Sequence, residues 1–157
     1  MGQARSGAKT YSFLPTYPVE GDRPLRSLHI LLAEDNQELR GLIARTLRLD
    51  GHRVTEVADT DALEAELVIA GLPESDPIDL AISDIRMPGK HASTGLDVLE
   101  HLRDCLDCPP FLFMTAFSEP EVVQRAKSLG AIGLIDKPFS MRALMAIVNQ
   151  HGGWFRD

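Results

Sequence analysis

Residues 78–90 read IDLAISDIRMPGK, an apolar run that ends at an aspartate and is followed by a Pro-Gly turn. The run IDLAIS (78–83) has the length and composition of a strand that is covered on both faces. Asp84 lies at the rim of that strand, where a carboxylate costs stability unless a partner compensates it. The stretch therefore predicts a buried strand with a functional candidate at its carboxyl end.

A unit of one apolar strand and one amphipathic helix recurs on both sides of this stretch. Predicted strands lie at residues 28–33 (LHILLA), 53–57 (RVTEV), 78–83 (IDLAIS), 110–115 (PFLFMT) and 131–136 (AIGLID). Predicted helices follow them at residues 39–51, 59–71, 95–106, 119–130 and 140–150. This alternation predicts an α/β fold: a doubly wound five-stranded parallel sheet of the flavodoxin-like (βα)5 type, with strand order 2-1-3-4-5.

The composition is that of one globular domain that does not bind nucleic acid directly. The chain has 157 residues, of which 44% are hydrophobic and 25% charged, and a formal net charge of -7. Its length suits one core of ordinary size, and its charge gives no broad basic surface for phosphates. It contains no apolar run of about 18 residues that could cross a membrane and no signal-like apolar block near its N-terminus. We therefore expect a cytoplasmic protein without membrane insertion.

The regular pattern covers residues 28–150, which we predict to be the folded domain. Residues 1–27 carry Gly, Ser, Pro and Thr without a sustained period, and are predicted to be a flexible N-terminal arm or a remnant of expression. Aromatic residues such as Tyr11 leave a docking role for this arm open. Residues 151–157 form a short C-terminal tail whose Trp154 either packs on the domain or binds a partner.

Cys105 and Cys108 form a Cys-x-x-Cys pair, a spacing found in redox and zinc sites. A structural zinc site needs four ligands, and the chain has no second such pair and no closely spaced pair of histidines. We interpret the pair as two thiols near the end of a helix.

Five polar or charged side chains lie where the predicted strands end. Glu34 and Asp35 follow the first strand, Asp84 follows the third, Thr115 ends the fourth and Lys137 follows the fifth. Singly, each has an ordinary explanation as a helix cap or a turn residue. In the order 2-1-3-4-5, however, the first and third strands are neighbours, which brings the three carboxylates together.

Three carboxylates in one place repel one another, so either some of them are protonated or a cation lies among them. Oxygen ligands at a shallow rim favour Mg²⁺. An open Mg²⁺ site beside a lysine suits phosphoryl transfer, in which a carboxylate can be the nucleophile. The roles in this hypothesis are Asp84 as the attacking group, Glu34 and Asp35 as metal ligands, Lys137 as the partner of a phosphoryl oxygen, and Thr115 as a hydrogen-bond donor to another.

These positions and their neighbours resemble the receiver domain of two-component response regulators over about residues 28–150. The motifs that carry the resemblance are Glu34-Asp35, Asp84 within DIRMPG, Thr115-Ala116 and Lys137-Pro138-Phe139. The resemblance implies that Asp84 accepts phosphate from a histidine kinase or a histidine phosphotransfer protein, with Mg²⁺ required. It also implies that the main-chain carbonyl of Arg86 is a metal ligand and that the Lys137-Pro138 bond is cis.

The chain departs from the family at Leu134, three residues before the lysine. The family has there an aromatic residue that rotates inward on phosphorylation, and leucine has no ring to rotate. We therefore expect the response to phosphorylation to proceed through Thr115 and the loop after it, or through Phe113 or Phe117 as a substitute.

Two further features border the predicted site. The loop of residues 89–95 (GKHASTG) is longer than the compact turn of the family and is interpreted as a surface insertion. Arg86 and Phe117 correspond to positions that tune hydrolysis in the family, and their size predicts an aspartyl phosphate that lasts for minutes or longer.

Three other functions compete with this one. A module that binds proteins without phosphorylation, a pseudo-receiver, is favoured only by Leu134. A Mg²⁺-dependent aspartyl-phosphate phosphohydrolase would carry a second aspartate two residues after the nucleophile, where this chain has Arg86. A nucleotide- or flavin-binding protein would need a glycine-rich cradle after the first strand, where Glu34 and Asp35 repel phosphate.

The sequence contains no helix-turn-helix or enzymatic segment after the predicted domain. We therefore expect a signalling phosphoacceptor rather than an enzyme, with output through protein–protein interaction. The cognate kinase, the downstream target and the formation of a homodimer are left open.

Overall fold

The computed structural model describes residues 9–13, 27–90, 94–104 and 107–150, with Gln150 described by its backbone alone. Within these ranges the sheet has six strands. They are β1 (Thr10–Ser12), β2 (His29–Ala33), β3 (Arg53–Val57), β4 (Leu80–Asp84), β5 (Phe111–Thr115) and β6 (Gly133–Asp136). Their order across the sheet is β1-β6-β5-β4-β2-β3.

Strands β2 to β6 form the parallel part of the sheet. Without β1, their order is the predicted 2-1-3-4-5. Every residue of β4 and β5 is buried, as expected of central strands with helices on both faces. The prediction of a doubly wound, flavodoxin-like sheet is confirmed.

Strand β1 adds one detail to the prediction: the sheet has a sixth, antiparallel strand, formed by residues 10–12 of the predicted N-terminal arm. β1 pairs with the outer edge of β6, with Tyr11 opposite Leu134. Three residues without a hydrophobic period carry no strand signal of their own, and β1 forms because β6 offers unpaired main-chain groups at its edge. Residues 1–8 and 14–26 of the arm and the predicted tail at 151–157 lie outside the described residues.

Five helices connect the strands in the described ranges. They are α1 (Gln37–Leu49), α2 (Thr60–Ala70), α3 (Gly95–Leu102), α4 (Pro120–Ser128) and α5 (Met141–Gln150). The side chains of Asn36, Asp59 and Thr94 accept main-chain hydrogen bonds at the starts of α1, α2 and α3. Helix α3 ends at Leu102, four residues earlier than predicted. Among the described helices, none combines the length and the apolar character that crossing a membrane requires.

Two apolar cores fill the two sides of the sheet. Helices α2, α3 and α4 pack on one side, around Leu31, Phe113 and Leu134. Helices α1 and α5 pack on the other side, around Ile30 and Leu32. Because successive side chains of a strand point to opposite faces, each parallel strand contributes to both cores. This packing fixes the strand ends rigidly.

The strand order reverses between β2 and β4, which lie side by side with Ala33 opposite Ser83. From β2 the chain crosses to β3 on one side, and from β4 onward it builds the sheet on the other side. Open α/β sheets bind ligands at this kind of reversal, beyond the carboxyl ends of the strands. The residues that follow β2, β4, β5 and β6 therefore define the candidate site.

Candidate functional site

Three carboxylates meet at this edge of the sheet. Glu34 and Asp35 follow β2, Asp84 ends β4, and one carboxylate oxygen of each lies within 4.8 Å of the other two. Glu34 is 1% and Asp84 6% exposed, whereas Asp35 is exposed to solvent. The predicted acidic cluster is thus assembled, with two carboxylates buried beneath a third at the surface.

Lys137 supplies the positive charge of the cluster. Its Nζ atom donates to Asp84 Oδ2 at 2.6 Å and to the two oxygens of Glu34 at 2.9 and 3.0 Å. Burial acts to lower the pKa of Lys137, but its hydrogen bonds to Asp84 and Glu34 outweigh burial and raise the pKa above the ordinary lysine value. Lys137 is therefore a permanent cation at this edge.

The main chain around Lys137 is fixed by its neighbours. The Lys137-Pro138 peptide bond is cis, as the resemblance implied. The Lys137 N–H donates to the Thr115 carbonyl at 2.7 Å, which ties the end of β6 to the end of β5. The side chain of Lys137 is thereby directed across the strand ends toward the acidic cluster.

Glu34 is the carboxylate most affected by this environment. Burial raises the pKa of Glu34 to about 7, the adjacent Asp84 acts in the same direction, and the Lys137 ammonium acts in the opposite one. The Glu34 carbonyl accepts a hydrogen bond from Arg40 Nη1 of α1 at 2.8 Å, which fixes the backbone of the cluster. Glu34 is therefore held in place at a position where its ionised form is disfavoured.

The donor set fits a hard divalent cation. Three carboxylates lie together and one lysine ammonium contacts two of them, so negative charge is in excess when all the groups are ionised. All the side-chain donors are oxygens, and Asp35 keeps the cluster open to solvent, which suits a Mg²⁺ ion that retains several waters. Glu34, Asp35 and Asp84 are thus the residues able to hold such an ion.

Arg86 lies beside the cluster through its main chain. Its N–H donates to Asp84 Oδ1 at 3.2 Å, so the two oxygens of the Asp84 carboxylate have different partners. The Arg86 guanidinium lies 5.8 Å from the centre of the Phe117 ring, a cation–π distance. Phe117 is 61% exposed, so this pair of side chains lies at the protein surface.

Thr115 is at the predicted edge, but its hydroxyl is engaged elsewhere. Thr115 Oγ1 accepts from the Phe117 N–H at 3.1 Å and donates to the Phe117 carbonyl at 3.2 Å. Its described hydrogen bonds thus stay within its own loop and do not reach Asp84. The structure brings Glu34, Asp35, Asp84 and Lys137 together, and leaves Thr115 as a neighbour.

This arrangement matches a known family. A family model described as the response regulator receiver domain matches residues 30–149. The chain belongs to this family. The match spans most of the parallel sheet and its helices, and β1 lies outside it.

Several curated relatives of this receiver domain are named as response regulators or transcriptional regulatory proteins. It is 34% identical over 122 residues to the response regulator protein FleR of Pseudomonas aeruginosa, an alignment that covers 78% of this chain and 24% of FleR. It is 29% identical over 143 residues to the transcriptional regulatory protein PdtaR of Mycobacterium tuberculosis, covering 91% of this chain and 64% of PdtaR. The chain thus spans less than two thirds of the length of these relatives.

Solved structures of other receivers share the fold. The chemotaxis response regulator CheY4 of Vibrio cholerae superimposes with a TM-score of 0.63 at 26% identity, covering 78% of this chain and 97% of CheY4. The non-phosphorylated HemR receiver domain of Leptospira biflexa gives a TM-score of 0.69 at 27% identity, covering 83% of this chain and 98% of that domain. The predicted resemblance to receiver domains is confirmed.

Gly95 is a residue of the receiver site that sequence reasoning missed. A Cβ atom at this position would lie 2.7 Å from the Asp84 carbonyl oxygen and 2.7 Å from Ser83 Oγ. The N–H of Gly95 donates to the Ile85 carbonyl at 2.8 Å, so α3 begins directly against the end of β4. Gly95 thus allows α3 to begin in close contact with the backbone of Asp84. The sequence signal that could have identified Gly95 is a glycine directly after a capping threonine.

Leu134 occupies the position at which the resemblance implied an aromatic residue. It is fully buried in the core on the α4 side of the sheet. Its register partner across the β6 edge is Tyr11, whose side chain packs against the same core. An aromatic side chain is therefore present beside this position, but it comes from β1.

Proposed function

We propose that Asp84 is the phosphoacceptor of this receiver domain in a two-component or phosphorelay system. The observation that carries the proposal is the double contact of Lys137 Nζ, at 2.6 Å from Asp84 Oδ2 and 2.9 Å from Glu34 Oε1. This contact places a cation directly beside the acceptor oxygen. Sites that transfer phosphoryl groups act mainly by positioning and by neutralising charge, and this cation supplies both.

In the proposed transfer, a carboxylate oxygen of Asp84 attacks the phosphorus atom of a phosphohistidine. The P–O bond of an acyl phosphate forms and the P–N bond to the imidazole breaks. The imidazole nitrogen leaves with the bonding electron pair and takes up a proton. When acetyl phosphate is the donor, acetate is the leaving group.

The remaining groups of the site orient the reactants. Glu34, Asp35, Asp84 and the main-chain carbonyl of Arg86 are the proposed ligands of Mg²⁺, which when bound neutralises charge on the phosphoryl oxygens. Lys137 keeps its ammonium on the acceptor side and pairs with one phosphoryl oxygen. Thr115 leaves Phe117 and donates its hydroxyl proton to another.

The proposed donor is a histidine kinase or a histidine phosphotransfer protein, as expected for relatives named as response regulators. The proposed output is protein–protein interaction. Direct binding of nucleic acid by these residues is disfavoured because the chain carries a net charge of -7. A phosphohydrolase is a weaker alternative, because Arg86 stands where a general acid would be needed.

Intact-protein mass spectrometry after incubation with acetyl phosphate tests the proposal. We expect a gain of about 80 Da, the mass of one phosphoryl group, that requires Mg²⁺ and is absent in Asp84→Asn. Asp107→Asn is the matched control, because Asp107 is exposed and precedes β5 at the opposite edge of the sheet. This variant should be labelled like the wild type.

The same experiment separates the competing functions. If neither acetyl phosphate nor a phosphohistidine donor labels the wild type, the proposal is wrong and a phosphorylation-independent binding module takes its place. If the label survives in Asp84→Asn, another residue is the acceptor. Continuous release of phosphate from small phosphoesters would instead favour the phosphohydrolase.

A further inference from the structure

Strand β1 covers the outer edge of β6 although it is only three residues long. At its two ends, Phe13 N–H donates to the Ile132 carbonyl at 2.9 Å, and Asp136 N–H donates to the Lys9 carbonyl at 2.9 Å. A short strand at a sheet edge opens at far lower cost than the domain unfolds. The β6 edge thus binds an extended segment of the same chain through main-chain hydrogen bonds.

Gly133 adapts β6 to this occupant. A Cβ atom at Gly133 would lie 2.6 Å from the main-chain oxygen of Tyr11. Any side chain at this position would therefore push the backbone of β1 away from β6. Glycine weakens the interior of a strand, so its use here is explained by the close approach of a second backbone.

Tyr11 connects β1 to the loop that follows β5. Ser118 Oγ donates its only hydrogen to Asp136 Oδ2 at 2.8 Å. In its contact with Tyr11, at 3.4 Å, Ser118 Oγ is therefore the acceptor and the Tyr11 hydroxyl is the donor. The other oxygen of Asp136 is buried without a hydrogen-bond partner among the described residues. Ser118 is therefore the group that satisfies this carboxylate and also holds Tyr11.

Two members of this hydrogen-bonded chain, Ser118 and Asp136, are each one residue away from residues that border or form the proposed site. Ser118 follows Phe117, whose backbone is held by the Thr115 hydroxyl at 3.1 and 3.2 Å. Asp136 precedes Lys137, whose ammonium contacts Asp84. In the proposed function Thr115 turns to the phosphoryl group, so both of its contacts with Phe117 would be lost and the loop that positions Ser118 would lose one of its restraints.

We infer that phosphorylation of Asp84 detaches β1 from β6 by breaking the hydrogen bond between Tyr11 and Ser118. The inference rests on the proposed phosphoacceptor function. Detachment uncovers the main-chain donors and acceptors of Gly133–Asp136. The uncovered edge binds an extended segment of a protein partner as an added antiparallel strand, in the manner in which it now binds residues 9–13.

Amide hydrogen exchange, read by mass spectrometry, measures the detachment directly. With acetyl phosphate and Mg²⁺, we expect exchange of the amides in residues 9–13 and of Asp136 to rise about fivefold, the factor that one lost neutral hydrogen bond gives. The intact mass of the same sample gives the fraction phosphorylated. Asp84→Asn under the same conditions should show the unphosphorylated exchange rates.

Two variants separate the relay from a general loosening of the fold. Tyr11→Phe keeps the ring but lacks the hydroxyl donor. Before phosphorylation, the amides of residues 9–13 in this variant should exchange about fivefold faster than in the wild type, and phosphorylation should raise their exchange little further. In Gly133→Ala, the amides of residues 9–13 should exchange as fast as those of an unpaired strand, both with and without phosphorylation. Exchange in α1, on the far side of the sheet, should be unchanged in either variant.

A labelled peptide of sequence AKTYSFL, residues 8–14, probes the uncovered edge. It should bind the phosphorylated protein about fivefold more tightly, because the in-chain strand competes less, and Gly133→Ala should abolish the binding. Equal binding to both states, or binding that survives Gly133→Ala, would overturn the inference.

The two proposals fail in distinguishable ways. If neither acetyl phosphate nor a phosphohistidine donor gives an adduct, the phosphoacceptor function is wrong and the inference is wrong with it. If the adduct forms and exchange in residues 9–13 does not change, or slows, the phosphoacceptor function stands and the release of β1 is wrong.

Discussion

Lys137 Nζ lies 2.6 Å from Asp84 Oδ2 and also donates to both oxygens of Glu34, so one ammonium bridges two buried carboxylates from different strands. The bridge joins the ends of β2, β4 and β6. Without it, the like charges of Glu34 and Asp84 would lie together in buried positions. The lysine is therefore part of the fold as well as of the proposed chemistry.

Lys137→Met should lower the free energy of unfolding in Mg²⁺-free buffer by about 1–3 kcal/mol, because it leaves two buried carboxylates without their cation. Urea unfolding at pH 8 measures the change. Lys127→Met is the control, because Lys127 is exposed on α4 and its loss should change stability by under about 0.5 kcal/mol. A Lys137→Met variant as stable as the wild type would show that the bridge is not stabilising.

Gly95→Ala should destabilise the domain by about 1–3 kcal/mol, because its Cβ would overlap the backbone of Asp84. The shift of Asp84 should also slow labelling by acetyl phosphate. Gly41→Ala is the matched control: a Cβ there meets nothing within 4 Å, so alanine in α1 should raise stability by about 0.5–1 kcal/mol. Thermal unfolding of the two variants, together with labelling rates, tests both expectations.

His52 should make the folded domain less stable as the pH falls. Its Nδ1 accepts from the Leu28 N–H at 3.1 Å, and burial lowers the pKa of His52 below its ordinary value of 6.5, with Asp50 opposing. As the pH falls, the unfolded chain therefore binds a proton at His52 before the folded domain does. The contribution of His52 to stability decreases as the pH drops below about 6.5.

His52→Asn isolates this contribution, because the amide oxygen can still accept the Leu28 N–H. Glu34 acts in the opposite direction, since its pKa of about 7 in the fold lies above its ordinary 4.5 and it is protonated first in the folded state. We therefore compare the free energy of unfolding of the wild type with that of His52→Asn, each measured by urea unfolding at pH values from 7.5 to 5. Parallel curves would contradict the prediction.

Phe117→Ala should shorten the lifetime of the aspartyl phosphate. The Phe117 ring and the Arg86 guanidinium lie 5.8 Å apart beside the site, and we expect this pair to act as a cover that limits the approach of water. We expect the wild-type adduct to last for minutes and the variant to lose it severalfold faster, as measured by decay of the added mass after removal of the donor. A wild-type half-life of a few seconds would show that this cover does not limit hydrolysis.

Most of the site could be predicted because each of its residues follows a strand with a signal of its own. The apolar run before Asp84 is buried throughout in the structure, and Glu34, Asp35 and Lys137 adjoin similar runs. The extent of α3 was less predictable, because the apolar period continues to Leu106 while the helix ends at Leu102.

Strand β1 had no comparable signal. TYS becomes a strand by pairing with β6, and a pairing between residues over 100 positions apart leaves no local period in the chain. The one sequence feature related to β1 is Gly133, a glycine inside a strand. The close approach of the β1 backbone explains why glycine occupies this position.

The sequence by itself determined the parallel core and the side chains that reach its carboxyl edge, because hydrophobic period and capping residues are properties of short segments. The tertiary structure decided which partners those side chains choose. Lys137 reaches Glu34 across 103 residues and Tyr11 reaches Ser118 across 107. Thr115, in contrast, bonds Phe117 two residues away. Such choices depend on the competing partners and the burial found at one point in space, which the order of residues along the chain does not specify.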